Sequence, residues 1–426
     1  MQNGYLLYKL NFCITIILAT IAFTPFLNRN VPEMANLVLL ALWSFTAILG
    51  GFRFDNKVSK WWLLFLLYQA ITVIIGHSNV SINTVIARAP IYCTPILITY
   101  VVNNYSFKSR RNMQSILFLV LLYNIISNVI IGFQNPEIFN TLNIVDKNDA
   151  DLLTNAGSTS FVAICLFTIP LYWLYYKYES RRLYKAIAIV LLVASTYFMV
   201  FVNSRATALL LLIIIVFGFI VPIKHTNIKH NKRKRPLLLI LVLVAMYYGA
   251  IPLLELLASF FSNMDGMAGR LSTRMLDIIQ FIKLRGDIGS MEDGSFMKRI
   301  LLWQTSLSTF TDNILNFLFG IGEDTHLYDY YSLLNCGVGC HSTILDCLAQ
   351  YGVIGGFFIF KCFTSSFSFI KKQISNVIIK RRLEIVYIVF VIYSTLNVSL
   401  ANDILFVFLF LFPLTFSCIK NEKCII

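Results

Sequence analysis

A histidine and an aspartate, His341 and Asp346, stand five positions apart at the start of a long apolar segment. A neutral imidazole can accept a proton from a hydroxyl group at ordinary pH, and a nearby carboxylate can orient the ring and stabilise its charged form. Positions five apart lie about 140° from each other on an ideal helix, so the two side chains are not expected to pair directly if one helix contains both. Two structural interpretations stay open: Ser342 caps a helix, and His341 serves packing or topology.

Arg205 is a second residue with chemical capacity, in a very short connection between two apolar segments. On so tight a hairpin the guanidinium is held at the membrane surface, where its parallel N–H groups can meet two oxygens of a phosphate. An arginine that reaches up to lipid headgroups explains the same position equally well. The residues around Arg205 leave both interpretations open.

Arg299 borders a predicted amphipathic helix, because Ile300, Trp303 and Leu307 recur at helical spacing. Attraction of this helix to a membrane surface is one interpretation. Its weakness is that the outer leaflet of a membrane contains less anionic lipid than the inner leaflet.

The polar segment between Arg299 and His341 carries aromatic rings and glycines. Tyr328, Tyr330 and Tyr331 can stack on sugar rings, although aromatic residues are also common at membrane interfaces without any ligand. Gly352, Gly355 and Gly356 in the apolar run after this segment permit close helix approach or a kink, while Gly320-Ile321-Gly322 and Gly337-Val338-Gly339 flank the polar segment ahead of His341. We expect the segment to fold back over the membrane face as a lid on a cavity.

These residues belong to a chain with the composition of an integral membrane protein. Hydrophobic residues make up 58% of its 426 positions and charged residues 13%, and the mean hydropathy is +0.73. Apolar runs long enough to cross a bilayer repeat from end to end. We predict an all-α, polytopic membrane protein with about 12 transmembrane helices. Their expected positions are 7–27, 33–51, 61–76, 89–104, 114–132, 157–176, 183–202, 206–223, 236–254, 343–365, 383–400 and 403–419.

The distribution of basic residues predicts the orientation of these helices. Lys and Arg are retained on the cytoplasmic side during insertion, and most of the 35 in this chain fall on one side if the N-terminus is inside. Both termini are then cytoplasmic, and the largest polar interval lies on the outer side. We therefore expect an N-terminal bundle of about nine helices at 1–254, a large outward loop with an amphipathic helix at 255–341, and about three helices at 342–426.

A net charge of +14 would suggest nucleic acid as the partner of a soluble protein. Here the basic loops, including the run at 224–235, are explained by topology and by contact with anionic membrane lipids, so no nucleic acid is expected. Most of the nine cysteines lie in apolar spans as small hydrophobes. Cys336 and Cys340 fall in the outward loop, where a disulfide is permitted in an oxidising compartment. Their spacing does not predict a metal site.

The residues around His341 match a family signature, which is His341, Ser342, nine further residues, Gly352, two residues and Gly355. Supporting elements precede it in order: Ser204-Arg205-Ala206 at the opening of an apolar span, Arg299 ahead of Leu302-Trp303, and Phe319-Gly320-Ile321-Gly322. In this pattern the chain resembles the bacterial membrane enzymes that act on undecaprenyl-diphosphate-linked oligosaccharides, the O-antigen polymerases and O-antigen ligases.

The resemblance implies a glycosyltransferase of the bacterial inner membrane that needs no metal or other cofactor and whose active site faces the periplasm. His341 would be the general base, and Arg205 and Arg299 would hold the lipid diphosphate and stabilise it as it leaves. Arg270 and Arg274 are further candidates for contact with diphosphate or glycan, together with the three loop tyrosines. Asp346 is not part of the signature; we include it as a candidate substrate contact and leave its role open.

The resemblance leaves the acceptor of the glycan to be decided. A polymerase transfers the growing chain to another lipid-linked repeat unit, whereas a ligase transfers it to lipid A-core. His341 is followed by Ser342 and by Asp346, Ala349, Tyr351 and Gly352, a form that looks more like the polymerases, and the Asn-, Ile-, Lys- and Phe-rich composition agrees. We favour the polymerase, with lipid-linked donor and acceptor and a chain-length regulator protein as expected partners, and with specificity in loops 134–156 and 256–340.

A flippase for lipid-linked sugars is the remaining alternative, since it would also need many spans and cationic contacts with a diphosphate. The spans show no evident inverted repeat and few ionisable residues at mid-membrane depth, which disfavours alternating access.

Overall fold

The longest helix in the described part of the chain begins at Thr343, two positions after His341. A computed structural model describes residues 2–24, 30–52, 56–76, 92–134, 295–322, 338–339, 342–374, 377–396 and 405–418, together with isolated positions at 27, 82–89, 186–193, 251–283 and 400. Regular structure in these ranges is helical throughout. The helices are α1 Gln2–Phe23, α2 Glu33–Leu49, α3 Lys57–Ile74, α4 Thr94–Asn104, α5 Phe107–Gln134, α6 Ser295–Thr311, α7 Ile314–Phe319, α8 Thr343–Gln373, α9 Val377–Leu396 and α10 Phe412–Ser417, which continues a π-helical turn at Val407–Leu411.

Eight helices, α1 to α5 and α8 to α10, fall on predicted spans. Among the described residues, α8 has the length and apolar composition needed to cross a membrane, and shorter apolar helices occur at Leu6–Ile21, Met34–Leu49, Leu383–Thr395 and Phe408–Ser417. This agrees with a helical membrane protein. The spans predicted at 157–176 and 206–223 lie outside the described residues, and those at 183–202 and 236–254 lie almost wholly outside them, so the number of spans stays a prediction.

Several helix ends differ from the predicted spans. Helix α5 begins at Phe107 rather than 114, and α8 continues to Gln373 rather than 365, because lysine and arginine at an apolar helix end are good helix formers. Helix α4 is shorter than predicted and begins at Thr94, with Pro95 in its first turn. Proline is accepted there because the first N–H groups of a helix have no partner within it.

Helix α8 begins with the cap that the sequence suggested. Ser342 is the N-cap residue, and its hydroxyl accepts a long hydrogen bond of 3.5 Å from the N–H of Leu345. Asp346 lies in the first turn of α8, while Lys371 and Lys372 lie in the last turn. These charges complement the helix dipole at both ends.

Helix α3 packs along α8 mainly through aromatic rings. The indole N–H of Trp62 donates to the hydroxyl of Ser366 over 3.1 Å, and the rings of Trp61 and Phe357 lie 6.0 Å apart. Helix α9 also packs on α8, and the ring of Phe390 lies 5.5 Å from that of Phe363. Helix α8 therefore lies in the middle of the described bundle. Residues that α8 positions are held in place by its contacts with several helices.

A buried polar network joins the N-terminal helices. The side-chain amide of Asn11 in α1 donates to the carbonyl of Trp43 (3.1 Å) and lies 2.8 Å from the hydroxyl of Thr46, both in α2. The hydroxyl of Tyr105, between α4 and α5, donates to Asn11 Oδ1 over 2.8 Å. Burial raises the pKa of Tyr105, so its hydroxyl stays protonated and able to donate. The polar groups of this network are hydrogen-bonded to one another, as burial requires.

Candidate active site

Two of the predicted site residues fall within the described part of the chain. Asp346 lies in the first turn of α8, and Arg299 lies in the first half of α6, where the sequence predicts an amphipathic helix. The remaining predicted residues lie outside the described residues, so their roles stay predictions: Arg205, Arg270, Arg274, Tyr328, Tyr330, Tyr331 and His341. Cys336 and Cys340 also lie outside them.

Asp346 is buried, with 6% of its surface exposed, and each of its carboxylate oxygens accepts a hydrogen bond. The hydroxyl of Ser306 in α6 donates to Oδ1 over 2.7 Å, and the N–H of Ser342 donates to Oδ2 over 3.1 Å. The backbone N–H of Asp346 in turn donates to the carbonyl of Ser342 over 2.8 Å. A carboxylate loses much hydration when it is buried, and donors of this kind compensate for that loss. Asp346 therefore ties α6 to the beginning of α8.

Ser306 extends the same connection to the segment that precedes His341. Its side chain is fully buried, and its hydroxyl accepts a hydrogen bond of 2.9 Å from the N–H of Gly339 while donating to Asp346. Gly339 lies so close to α6 that a Cβ atom added there would stand 2.0 Å from the carbonyl oxygen of Leu302. Glycine at this position is thus explained by close approach of two backbones.

Arg299 lies on the same face of α6 as Ser306, because positions seven apart on a helix return to the same side. The rise of a helix separates the two Cα atoms by about 10 Å along the axis. By its position in the helix, Arg299 is in register with Ser306, on the face of α6 that meets Gly339 and Asp346; its contact with a diphosphate stays a prediction.

Helix α8 is kinked at Gly352, where the backbone angles of φ +60° and ψ −169° are not helical. Gly320, which follows α7, also has a positive φ, +72°. Each of the two glycines lies against the backbone of the residues that precede the other glycine. A Cβ added at Gly320 would stand 2.3 Å from the carbonyl of Gln350, and one added at Gly352 would stand 2.4 Å from the carbonyl carbon of Leu318. The kink or close approach predicted for the glycines of the apolar run is thus confirmed at Gly352, and Gly320 lies against the same part of α8.

The turn after α7 uses the hydrogen-bonding groups that the kink releases. The N–H of Ile321 donates to the carbonyl of Ala349 over 2.9 Å, and the N–H of Gly322 donates to that of Gln350 over 2.8 Å. Those carbonyls would otherwise accept from residues one turn further along α8, on the other side of the kink. The backbone of the turn therefore replaces a missing part of the helix, as an interrupted helix in a membrane protein requires.

Tyr68 of α3 completes this junction. Its hydroxyl lies 2.9 Å from the carbonyl oxygen of Phe319 and 2.7 Å from that of Tyr351, so one donor bridges the turn and the kinked helix. Gly355 leaves room for the ring, since a Cβ at that position would stand 2.6 Å from Tyr68 Cε1. The two glycines of the His341 signature thus have structural explanations, one in the kink and one in the packing of Tyr68.

Sequence reasoning did not identify Ser306 and Tyr68 as parts of this site. A signal existed for Ser306, which is a small polar residue two turns after Arg299 on the same helix face. No signal in the sequence pointed to Tyr68, because its partners are backbone carbonyls 251 and 283 positions further along the chain.

A comparison with known proteins bears on what this arrangement does. Residues 190–360 match the family model described as O-Antigen ligase, over less than half of the chain. The match supports the family of O-antigen ligases and polymerases, which are membrane enzymes of glycosyl transfer with lipid-linked glycans as substrates, and it does not distinguish the two activities. No curated protein matches the chain.

Proposed function

We propose that this protein is an O-antigen polymerase that joins undecaprenyl-diphosphate-linked repeat units into polysaccharide at the periplasmic face of the bacterial inner membrane. The observation that carries the proposal is the family match over 190–360, because that range contains Arg205, Arg299 and His341 in their expected order. The contacts that join α6, the turn after α7 and the start of α8 are further support. Arg299 belongs to the first of these pieces of chain, Phe319-Gly320-Ile321-Gly322 to the second, and the signature that begins at His341 leads into the third.

The chemistry proposed for these residues is a single displacement at the anomeric carbon. His341 removes the proton from an acceptor sugar hydroxyl, and the oxygen forms a bond to the anomeric carbon of the donor. The bond from that carbon to the diphosphate oxygen breaks, the diphosphate takes the electron pair, and the configuration inverts. Arg205 and Arg299 compensate the charge that develops on the leaving diphosphate, which is the role that a divalent metal has in other transferases.

Further residues extend the substrate contacts in this proposal. Arg270 and Arg274 add positive charge for the diphosphate or for acidic sugars, and the loop tyrosines Tyr328, Tyr330 and Tyr331 stack on sugar rings. A chain-length regulator protein is the expected partner for control of product length. The loops around these residues determine which sugars the protein binds.

O-antigen ligase is the second candidate, because the matching family model carries that description. The two activities share the donor and differ in the acceptor. The serine after His341, together with Asp346, Ala349 and Tyr351, supports the polymerase, since ligases more often carry asparagine after the histidine.

The test is a gel profile of surface lipopolysaccharide from a strain that lacks this gene, complemented with the wild-type gene or with His341→Ala. A polymerase leaves core capped with one repeat unit in the deletion strain and in the His341→Ala strain, and the wild-type gene restores long chains. Bare core with long chains still on carrier lipid would identify a ligase. Loss of surface antigen without polymer on the carrier would identify a flippase, and long chains from the His341→Ala strain would remove the general-base assignment.

A further inference from the structure

Gly339 and Ser342, the described residues on either side of His341 in the sequence, are held by hydrogen bonds that lead to Asp346. We propose that Asp346, acting directly and through Ser306, is a positioning residue that holds the backbone at Gly339 and Ser342 and so sets the placement of His341. The proposal rests on the proposed function, in which His341 is the general base. It assigns Asp346 a role through another residue rather than a contact with substrate.

The first anchor follows His341 directly. The N–H that donates to Asp346 Oδ2 over 3.1 Å belongs to Ser342, and it is therefore the N–H of the peptide bond that joins His341 to Ser342. A peptide unit is planar, so a hydrogen bond to its N–H constrains the orientation of the whole unit. The carbonyl of Ser342 accepts from the N–H of Asp346 over 2.8 Å, which holds the same residue from its other side.

The second anchor precedes His341 by two positions. Gly339 donates its N–H to Ser306 over 2.9 Å, and Ser306 donates its hydroxyl to Asp346 Oδ1 over 2.7 Å. Gly339 also lies against the backbone of Leu302. Only Cys340 and His341 separate Gly339 from Ser342 in the sequence.

A carboxylate suits this task better than a neutral side chain. It offers two acceptor oxygens, so one residue can accept from α6 and from the start of α8 at the same time. Its charge is favoured in the first turn of a helix. Capping alone does not require it, because the hydroxyl of Ser342 already caps α8.

The test compares Asp346→Asn and Ser306→Ala with the wild-type protein in steady-state glycosyl transfer with the lipid-linked repeat unit. We expect kcat to fall about 10- to 100-fold in Asp346→Asn and less in Ser306→Ala, with KM for the donor unchanged, because misplacement of a base impairs turnover rather than binding. Ser308→Ala is the matched control: Ser308 is exposed on the same helix and donates to the carbonyl of Gln304 over 2.8 Å.

The result that overturns the proposal is equally specific. A raised KM with unchanged kcat in Asp346→Asn would make Asp346 a substrate contact. A loss of folded protein in Asp346→Asn, with full activity in Ser306→Ala, would make Asp346 a helix cap only.

A second measurement separates this proposal from the proposed function, because it needs no glycosyl transfer. The rate at which diethyl pyrocarbonate modifies His341 is measured by mass spectrometry in the wild-type protein and in Asp346→Asn, with the other four histidines as internal references. We expect the rate at His341 to change while the rates at the others do not. An unchanged rate at His341 would overturn the positioning role even if the protein proves to be a polymerase. A changed rate in a protein without polymerase or ligase activity would overturn only the function.

Discussion

Burial of a single carboxylate is costly unless hydrogen bonds replace the water that it loses. Asp346 meets this condition with a serine hydroxyl and a backbone N–H, and a hydrogen bond to a charged group contributes about 1.5–3 kcal/mol. The two donors belong to parts of the chain that are 40 and 4 positions away. Any change at Asp346 therefore acts on α6 and on the start of α8 together.

Binding of the diphosphate should depend on arginine and not on His341. Arg299→Ala is expected to weaken binding of undecaprenyl diphosphate to the purified protein by about 10- to 100-fold, the value of one charge-assisted hydrogen bond. Arg299→Lys should recover part of the affinity, because lysine keeps the charge but not the two-pronged geometry. His341→Ala should bind almost as well as the wild-type protein while it fails to turn over. Titration calorimetry in detergent measures all three.

The matched control for Arg299 is its neighbour in the chain. Lys298→Ala removes the same charge from the adjacent position, about 100° away around α6. An equal loss of affinity in Lys298→Ala would contradict a specific diphosphate contact and would leave only general attraction between positive charge and phosphate.

At the scale of elements, the junction between the turn after α7 and the kinked α8 is built from backbone groups. Two glycines with positive φ allow two backbones to approach, and two N–H groups of the turn donate to carbonyls that the kink releases. Backbone contacts of this kind leave no room for a side chain, so the junction tolerates substitution poorly.

Substitution of Gly352 should therefore destabilise the protein strongly. Gly352→Ala is expected to cost at least about 2 kcal/mol of unfolding free energy, because alanine is strained at φ +60° and its Cβ would stand 2.4 Å from the carbonyl carbon of Leu318. Gly356→Ala is the matched control in the same helix, since a Cβ there meets only Leu348 Cδ2 at an ordinary 3.5 Å. The midpoint of thermal unfolding in detergent should fall for the first variant and hold for the second. Equal midpoints would contradict the close contact.

The positions of the helices could be predicted from the sequence because apolar runs are a local signal. Helix ends were less accurate where lysine and arginine prolong an apolar helix, as they do in α5 and α8. The sequence also indicated that α8 could bend at one of its glycines, but not at which one. That choice depends on the close contact with Leu318, far from Gly352 in the chain, and a local pattern contains no such information.

The candidate site, like the fold, could be predicted from the sequence only where the signal is local. The spacing from His341 to Gly355 singled out the start of α8, and the interpretation of Ser342 as a cap, which the sequence left open, is confirmed. The partners of Asp346 could not be derived, because Ser306 belongs to another helix and tertiary contact alone brings it close. For the residues that lie outside the described ranges, the sequence prediction stands as it was made.

For the whole molecule, α8 is the element that connects the described helices, since α3, α6, α7, α9 and α10 all contact it. The N-terminal helices, the α6 to α7 segment and the C-terminal helices thus meet on one span. The two membrane parts predicted at 1–254 and 342–426 are in contact through α3 and α8, and the divisions of the chain predicted from sequence are not separate in space there.

Topology is testable at this scale with reporter fusions. Alkaline phosphatase fused after residue 330 should be active, because the loop at 255–341 is expected in the periplasm. A fusion after residue 230 should be inactive, since the basic run around it is expected in the cytoplasm. Green fluorescent protein at the same two positions should give the reverse pattern and is the control for expression. The opposite result at either position would overturn the orientation.

The kink at Gly352 also has a consequence for depth in the membrane. A straight helix over all 31 residues of α8 would be about 46 Å long, but 353–373 alone extends about 30 Å, close to the thickness of the hydrocarbon layer. Within that part, the ammonium of Lys361 lies 5.2 Å from the ring centroid of Phe357, one turn nearer the N-terminal end, as a lysine does when it reaches toward the headgroups. The part of α8 before the kink is then not needed to cross the hydrocarbon layer. Under the proposed function, we expect Asp346 and the start of the helix to lie at the depth of the diphosphate of the carrier lipid.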